Sequence, residues 1–214
     1  PKNPELGLPA IMATGLLADL KTGQPLWMGD MMLLTAIRTA CTSALFLSAL
    51  SLKKPIRLGL IGLGAQAEFQ LIALSEVLNI ERVYGFDVDQ SMHPKIKKFL
   101  SNSSIEYQNV TNLEECMGEV DVWVTLTAAK LKCDVFQGLM PKKGAVVVAL
   151  GGDCPGKTEL SSKLISEADV VVPFTDQANI EGEIQNVSSI QPVELSQFLQ
   201  SPKRTQDYLV FDSI

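Results

Sequence analysis

The stretch Ile56-Arg57-Leu58-Gly59-Leu60-Ile61-Gly62-Leu63-Gly64-Ala65-Gln66-Ala67, IRLGLIGLGAQA, decides the fold. IRLGLI reads as a strand buried on both faces. It breaks into Gly-x-Gly-x-x-Ala and reopens as AQAEFQLIALSEVL, whose apolar residues recur at helical spacing. Gly62 permits a tight turn, Gly64 lets the backbone approach a pyrophosphate, and Ala67 is small enough for the helix to pack on the strand. The free amides of the first helical turn, from Ala65 and Gln66 onward, then face the phosphates. The next strand, RVYGF, leads to Asp87, 25 residues after Gly62. A carboxylate there can accept hydrogen bonds from both hydroxyls of an adenosine ribose and repels a 2′-phosphate, so NAD is favoured over NADP. A glycine turn beside a solvated aspartate would explain each part alone, but not strand, loop, helix and acid in this order.

Outward from this unit the alternation continues. HPKIKKFL reads as a helix, IEYQNV as a strand, and TNLEECM opens with a capping box from Thr111 to Glu114. VDVWVTLT, GAVVVAL, ADVVVPF and DYLVFD read as further strands, with helices from Thr158, in QANIEGEIQ and in PVELSQFLQ. These strands between 56 and 212, alternating with helices, predict an α/β fold, a Rossmann-type doubly wound parallel sheet. Ligands sit at the carboxyl ends of such strands, so Thr125 and Thr127 are expected to face the cofactor. Their alternative role is that of ordinary β-branched strand residues.

Residues 1–52 read differently, as part of a second, discontinuous substrate and dimerisation domain, with 53–214 as the cofactor domain. AIMATGLLAD and PLWMGD form two short strands joined by LKTGQ. One long helix follows over 31–51. Its residues Thr35, Arg38, Thr39, Thr42 and Ser43 fall on one face. A helix this apolar is expected to be mostly buried, so its polar stripe needs partners. Arg38 would then seek an anion with two oxygens, such as a substrate carboxylate or a protein aspartate, unless the stripe is a solvated face.

Bulk properties exclude several classes. The chain has 214 residues, 46% hydrophobic and 20% charged, with a net charge of −6. That balance argues against a nucleic-acid surface, and no apolar run is long enough to span a membrane. The four cysteines lack metal-ligand spacing, which fits reduced thiols in the cytoplasm, and no metal is expected. His93 precedes a proline in a polar stretch and reads as a surface residue at a helix start. The chain begins without Met, in what reads as mid-loop, and stops just after a strand, so both ends are expected to belong to a longer protein.

One segment needs more than a turn to explain it. After the AVVVAL strand comes GGDCPGKTEL, residues 151–160. Two glycines, a carboxylate, a thiol, a proline and a third glycine in succession suggest a shaped loop with something bound against it. Asp153 is a candidate acid/base, its alternative being a turn carboxylate bonded to nearby amides. Cys154 has no histidine beside it and reads as an inert thiol.

With these residues assembled, the chain resembles the ornithine cyclodeaminase/mu-crystallin family. The resemblance rests on ELGLPAIMATGLLADLKTG, LTAIRTACTSAL, IGLGAQAEFQ, GFDVD, LGGDCPGKTELSSKLISEADVVVPF and IEGEIQ, in family order over nearly the whole chain. GGDCPGKTEL is most similar to the ornithine cyclodeaminase branch. The resemblance implies a homodimer with bound NAD that converts L-ornithine to L-proline and ammonia by internal hydride transfer and return. It implies pyrophosphate contacts at Gly62, Gly64, Ala65 and Gln66, a ribose contact at Asp87, and catalysis by Asp153. Arg38 matches a substrate-binding arginine, and Thr14 and Thr39 match residues near cofactor and substrate. The two glycines are expected to let the loop pass close to nicotinamide and substrate. In the family, basic residues from a segment upstream of Pro1, including a lysine, also hold the substrate carboxylate. Two alternatives share the resemblance: an amino-acid dehydrogenase or cyclic imine reductase, and a non-catalytic crystallin-like NAD- and ligand-binding protein.

Overall fold

The computed structural model describes residues 3–8, 12–52, 55–129, 132–187 and 189–213. Strands β1 (Thr14–Ala18) and β2 (Pro25–Asp30) form an antiparallel hairpin. Its turn is tied by the Asp19 carboxylate, which accepts from the amides of Lys21 and Thr22, and by Gly23 at φ +74°. Helix α1 (Met32–Ser48) follows and packs along α2 (Ala65–Ser75).

The remaining strands are β3 (Ile56–Ile61), β4 (Ile80–Phe86), β5 (Glu106–Asn109), β6 (Val122–Thr125), β7 (Val146–Ala149), β8 (Ala168–Val172), β9 (Val193–Glu194) and β10 (Tyr208–Asp212). They make one parallel sheet in the order β5-β4-β3-β6-β7-β10-β8-β9. The sheet therefore holds eight strands, one more than the seven segments read as strands. Val193–Glu194 is too short to register as an apolar run. The chain winds outward from β3 in one direction through β4 and β5, then resumes on the other side with β6. That reversal makes a crevice at the carboxyl ends of β3 and β6.

Helices α3 (His93–Leu100), α4 (Ser162–Ser166), α5 (Thr175–Ala178) and α6 (Leu195–Gln200) complete the fold. The continuous apolar strands serve two cores at once. Val122, Val124, Val146, Val148, Leu209 and Phe211 face the side occupied by α1, α2, α3 and α6. Trp123, Val147, Ala149, Tyr208 and Val210 face the side occupied by α4 and α5. Alternation of side chains along a strand makes both assignments compulsory.

Several local expectations change. α1 is only half buried: Ala36, Ala40, Ser43, Ala44, Phe46 and Leu47 point inward, whereas Leu33, Leu34, Ile37 and Leu45 are exposed. Its polar stripe needs no outside partner at Thr42 and Ser43, whose hydroxyls donate to the carbonyls of Arg38 and Thr39 one turn back. Asn112, not Thr111, caps the turn at Leu113–Glu115, because its side chain reaches the Glu114 amide. Ser161, not Thr158, caps α4. The QANIEGEIQ helix is confined to Thr175–Ala178. His93 does open α3 but is buried, its Nδ1 2.6 Å from the Tyr107 hydroxyl. Desolvation holds its pKa below the ordinary value, against the opposing charge of Asp87.

Candidate active site at the carboxyl ends of the strands

The loop after β3 is built by two glycines with different duties. Gly62 has φ +95°, and a Cβ there would lie 2.8 Å from the Leu126 carbonyl oxygen. It is needed for both conformation and space. Gly64 precedes the first residue of α2 at φ −70°, and a Cβ there would meet nothing within 4 Å. The space before the amides of Ala65 and Gln66 is thus open, as the close approach of a phosphate requires. Ala67 is fully buried against the strand. Asp87, at the end of β4, accepts from the Leu63 amide at 2.6 Å and the Asp89 amide at 2.8 Å. Each oxygen keeps acceptor capacity for a ribose hydroxyl. These residues fit an adenine dinucleotide.

The loop after β7 lies two strands from the loop after β3, roughly 10 Å across the sheet. Residues Asp153 to Gly156 are exposed, and the flanks at 151–152 and 157–160 are buried. The Asp153 side chain is 64% exposed and accepts from Lys157 Nζ at 2.9 Å. Lys157 is itself buried along its length, which fixes the direction of the ion pair. Gly156 turns the chain at φ +83°, and its amide donates to Gln185 Oε1. The Gln185 amide returns bonds to the carbonyls of Lys157 and Gly182. This explains why GGDCPGKTEL and IEGEIQ belong together: the second segment is the mould for the first. Cys154 is exposed rather than an inert buried thiol, and the chain's single histidine is engaged with Tyr107.

The double glycine has a reason that the sequence did not disclose. A Cβ at Gly151 would land on the Glu159 carboxylate, and one at Gly152 would lie 2.9 Å from Glu183 Oε1. A Cβ at Gly182 would lie 2.7 Å from Asp212 Oδ2. Each glycine makes room for one buried carboxylate. Glu159 accepts from Thr125, Thr127 and Gly151. Glu183 accepts from the amides of Glu159 and Leu160, and Asp212 from the amide of Glu183. Burial and the nearby Asp212 push Glu183 up to about 8, with the amides of Glu159 and Leu160 opposing. Burial pushes Asp212 up to about 7.

Thr125 and Thr127 therefore give their hydroxyl protons to Glu159, and Thr125 is fully buried. Gln66 is half buried with its amide oxygen unpartnered. Arg38 is exposed on α1 with no ion pair among the described residues, Thr39 is half buried beside it, and Thr14 is exposed at the start of β1. No described contact joins Arg38, Thr39 or Thr14 to the Asp153 loop. Lys157, Glu159, Glu183 and Asp212 are the additions of the structure. A carboxylate ending the buried run YLVFD was the one sequence signal available. Among the described residues, no helix is long and apolar enough to cross a membrane.

Known proteins resemble this chain in both sequence and fold. The chain is 35% identical to the ornithine cyclodeaminase of Agrobacterium fabrum over 193 residues, 90% of this chain and 54% of that protein. A lysine cyclodeaminase, solved for its recognition of L-lysine, L-ornithine and L-2,4-diaminobutyric acid, superposes with TM-score 0.91 at 32% identity, covering 100% of this chain and 64% of that one. An archaeal alanine dehydrogenase dimer with bound NAD superposes with TM-score 0.84 at 30% identity, covering 100% and 69%. The chain spans little more than half the length of the Agrobacterium fabrum relative. The pattern of the ornithine cyclodeaminase/mu-crystallin family matches residues 1–213. The chain belongs to the ornithine cyclodeaminase/mu-crystallin family.

Proposed function

We propose that the protein carrying this chain is an NAD-dependent cyclodeaminase that converts L-ornithine to L-proline and ammonia. The observation that carries the reading is Asp153: an exposed carboxylate, steered by a buried lysine, on the loop after β7, at the same end of the sheet as the opening at Gly64. Bound NAD supplies a reversible hydride acceptor for the substrate α-carbon. Gly62, Gly64, Ala65 and Gln66 would hold its pyrophosphate and Asp87 its ribose. Thr125 and Thr127 shape the floor near the nicotinamide rather than donating to it.

Asp153 can accept a proton from the substrate's side-chain ammonium, which frees a lone pair to attack the α-carbon. The same carboxyl then returns the proton to the departing α-amine. Lys157 keeps the carboxylate aimed between these steps. Arg38, with Thr39 and Thr14, would take the substrate carboxylate and cofactor edge from the α1 side. A homodimer in the cytoplasm fits the exposed apolar hairpin and the four free thiols.

The test uses the complete protein, L-ornithine and substoichiometric NAD⁺, with proline and ammonia followed over time. Many turnovers per NAD without NADH build-up would support cyclodeamination. NADH accumulating with product would place the protein among the amino-acid dehydrogenases. Binding of NAD without any product would favour a crystallin-like role. Asp153→Asn should lower turnover by on the order of 10²–10⁴-fold with NAD affinity unchanged, measured by steady-state kinetics and fluorescence titration.

A further inference from the structure

The exposed arc Asp153–Gly156 is anchored by the buried carboxylates of Glu159, Glu183 and Asp212. Glu159 is fully buried, and each of its oxygens receives one main-chain N–H and one threonine hydroxyl. Oε1 accepts from Thr127 N at 2.6 Å and Thr127 Oγ1 at 2.5 Å. Oε2 accepts from Gly151 N at 2.8 Å and Thr125 Oγ1 at 2.6 Å. No lysine or arginine pairs with it among the described residues; Lys157 gives its ammonium to Asp153. A buried carboxylate without a cation is a poor source of stability, because its desolvation cost must be met by hydrogen bonds alone. What it provides is an address. Donors from the end of β6 and the end of β7 converge on one rigid planar group.

We propose that Glu159 is a positioning residue, which locks the ends of β6 and β7 together so that Gly151 and Gly152 present the Asp153 carboxylate to the crevice. The proposal rests on the reading of Asp153 as the acid/base. Glu183 secures the far end of the same loop through the amides of Glu159 and Leu160, and Asp212 secures Glu183 through its amide. The loop is therefore pinned at both flanks, and its free part is the arc that carries Asp153.

The chemistry demands a carboxylate in particular. The amides of Thr127 and Gly151 can only donate, and they address different oxygens. A glutamine would turn an NH₂ toward one of them, and neither orientation escapes the clash. Aspartate would fall one methylene short.

In the complete protein, Glu159→Gln should lower kcat by on the order of 10²-fold, the scale expected when a reacting group is displaced by about 1 Å, with the NAD dissociation constant and KM little changed. Thr125→Val should do the same more weakly, and Thr125→Ser, which restores the hydroxyl, should return kcat to the wild-type value. A merely structural role would lower the melting temperature and the folded fraction but leave kcat per NAD-loaded molecule intact, and that result would overturn the proposal. Should Glu159→Gln not fold, the Thr125 pair decides alone. Amide NMR shifts keep this test separate from the proposed reaction. If the wild type turns over no amino acid, movement of the Gly151 and Asp153 amides in Glu159→Gln would still establish the lock, whereas unmoved amides would refute it.

Discussion

A methyl group added at Gly64 would meet no atom within 4 Å, whereas one added at Gly151 would fall on the Glu159 carboxylate. The two glycines are thus separable by experiment. Gly64→Ala should leave the melting temperature near wild type and weaken NAD, because its methyl enters the space reserved for a phosphate. Gly151→Ala should cost about 1–3 kcal/mol of stability through overpacking, read by thermal or urea melting. Gly62, Asp87 and Asp153 were legible in the sequence because each ends or follows an unmistakable strand. Glu159, Glu183 and Asp212 were not. Their burial arises only when segments 24 and 29 residues apart are laid on one another. For the same reason Thr125 and Thr127 looked free to face a cofactor.

At the scale of elements, β3, α2, β4 and β7 could be read directly, since period and punctuation agree. α1 was legible as a helix but not as a half-exposed one. Its apolar residues surround the stripe on both sides, and composition alone does not say which side the sheet will cover. The inward half is decided by Phe46, which stacks on Phe211 of β10 at 4.6 Å between ring centroids and tilts against Phe198 of α6 at 5.4 Å. Phe211→Ala should therefore uncouple α1, α6 and β10 together, at a cost of about 3–5 kcal/mol in a denaturant titration. The shift of the helix caps to Asn112 and Ser161 is a smaller lesson: the capping side chain must sit where the backbone turns extended, and spacing alone misplaces it by a residue or more.

For the whole molecule, the raised carboxylates make stability depend on pH in an unusual direction. Glu183 keeps its proton in the folded chain up to about 8, against an ordinary value of 4.5 in the unfolded chain. Over that window the folded state binds more protons, so stability falls as pH rises and is regained as pH drops toward 4.5. Asp212 acts in the same sense up to about 7. Melting temperature against pH should show this slope, and Glu183→Gln should flatten it. The hairpin offers a second test. Leu16 and Met28 face each other across β1 and β2, and both are largely exposed. The double variant Leu16→Lys, Met28→Lys should shift sedimentation toward monomer if this surface serves the proposed dimer.

The position of β10 has a consequence in time. Although last in sequence, it lies between β7 and β8. During synthesis, the β8–β9 pair cannot join the rest of the sheet until residues 208–212 have left the ribosome. The emerging chain must keep two unpaired strand edges open for that interval, a period of exposure to misassembly and an opportunity for chaperones. The same late strand delivers Asp212, the last support beneath the Asp153 loop. Birth order and loop order are therefore linked: a nascent chain cannot seat the Asp153 loop on its last support before it has closed its sheet.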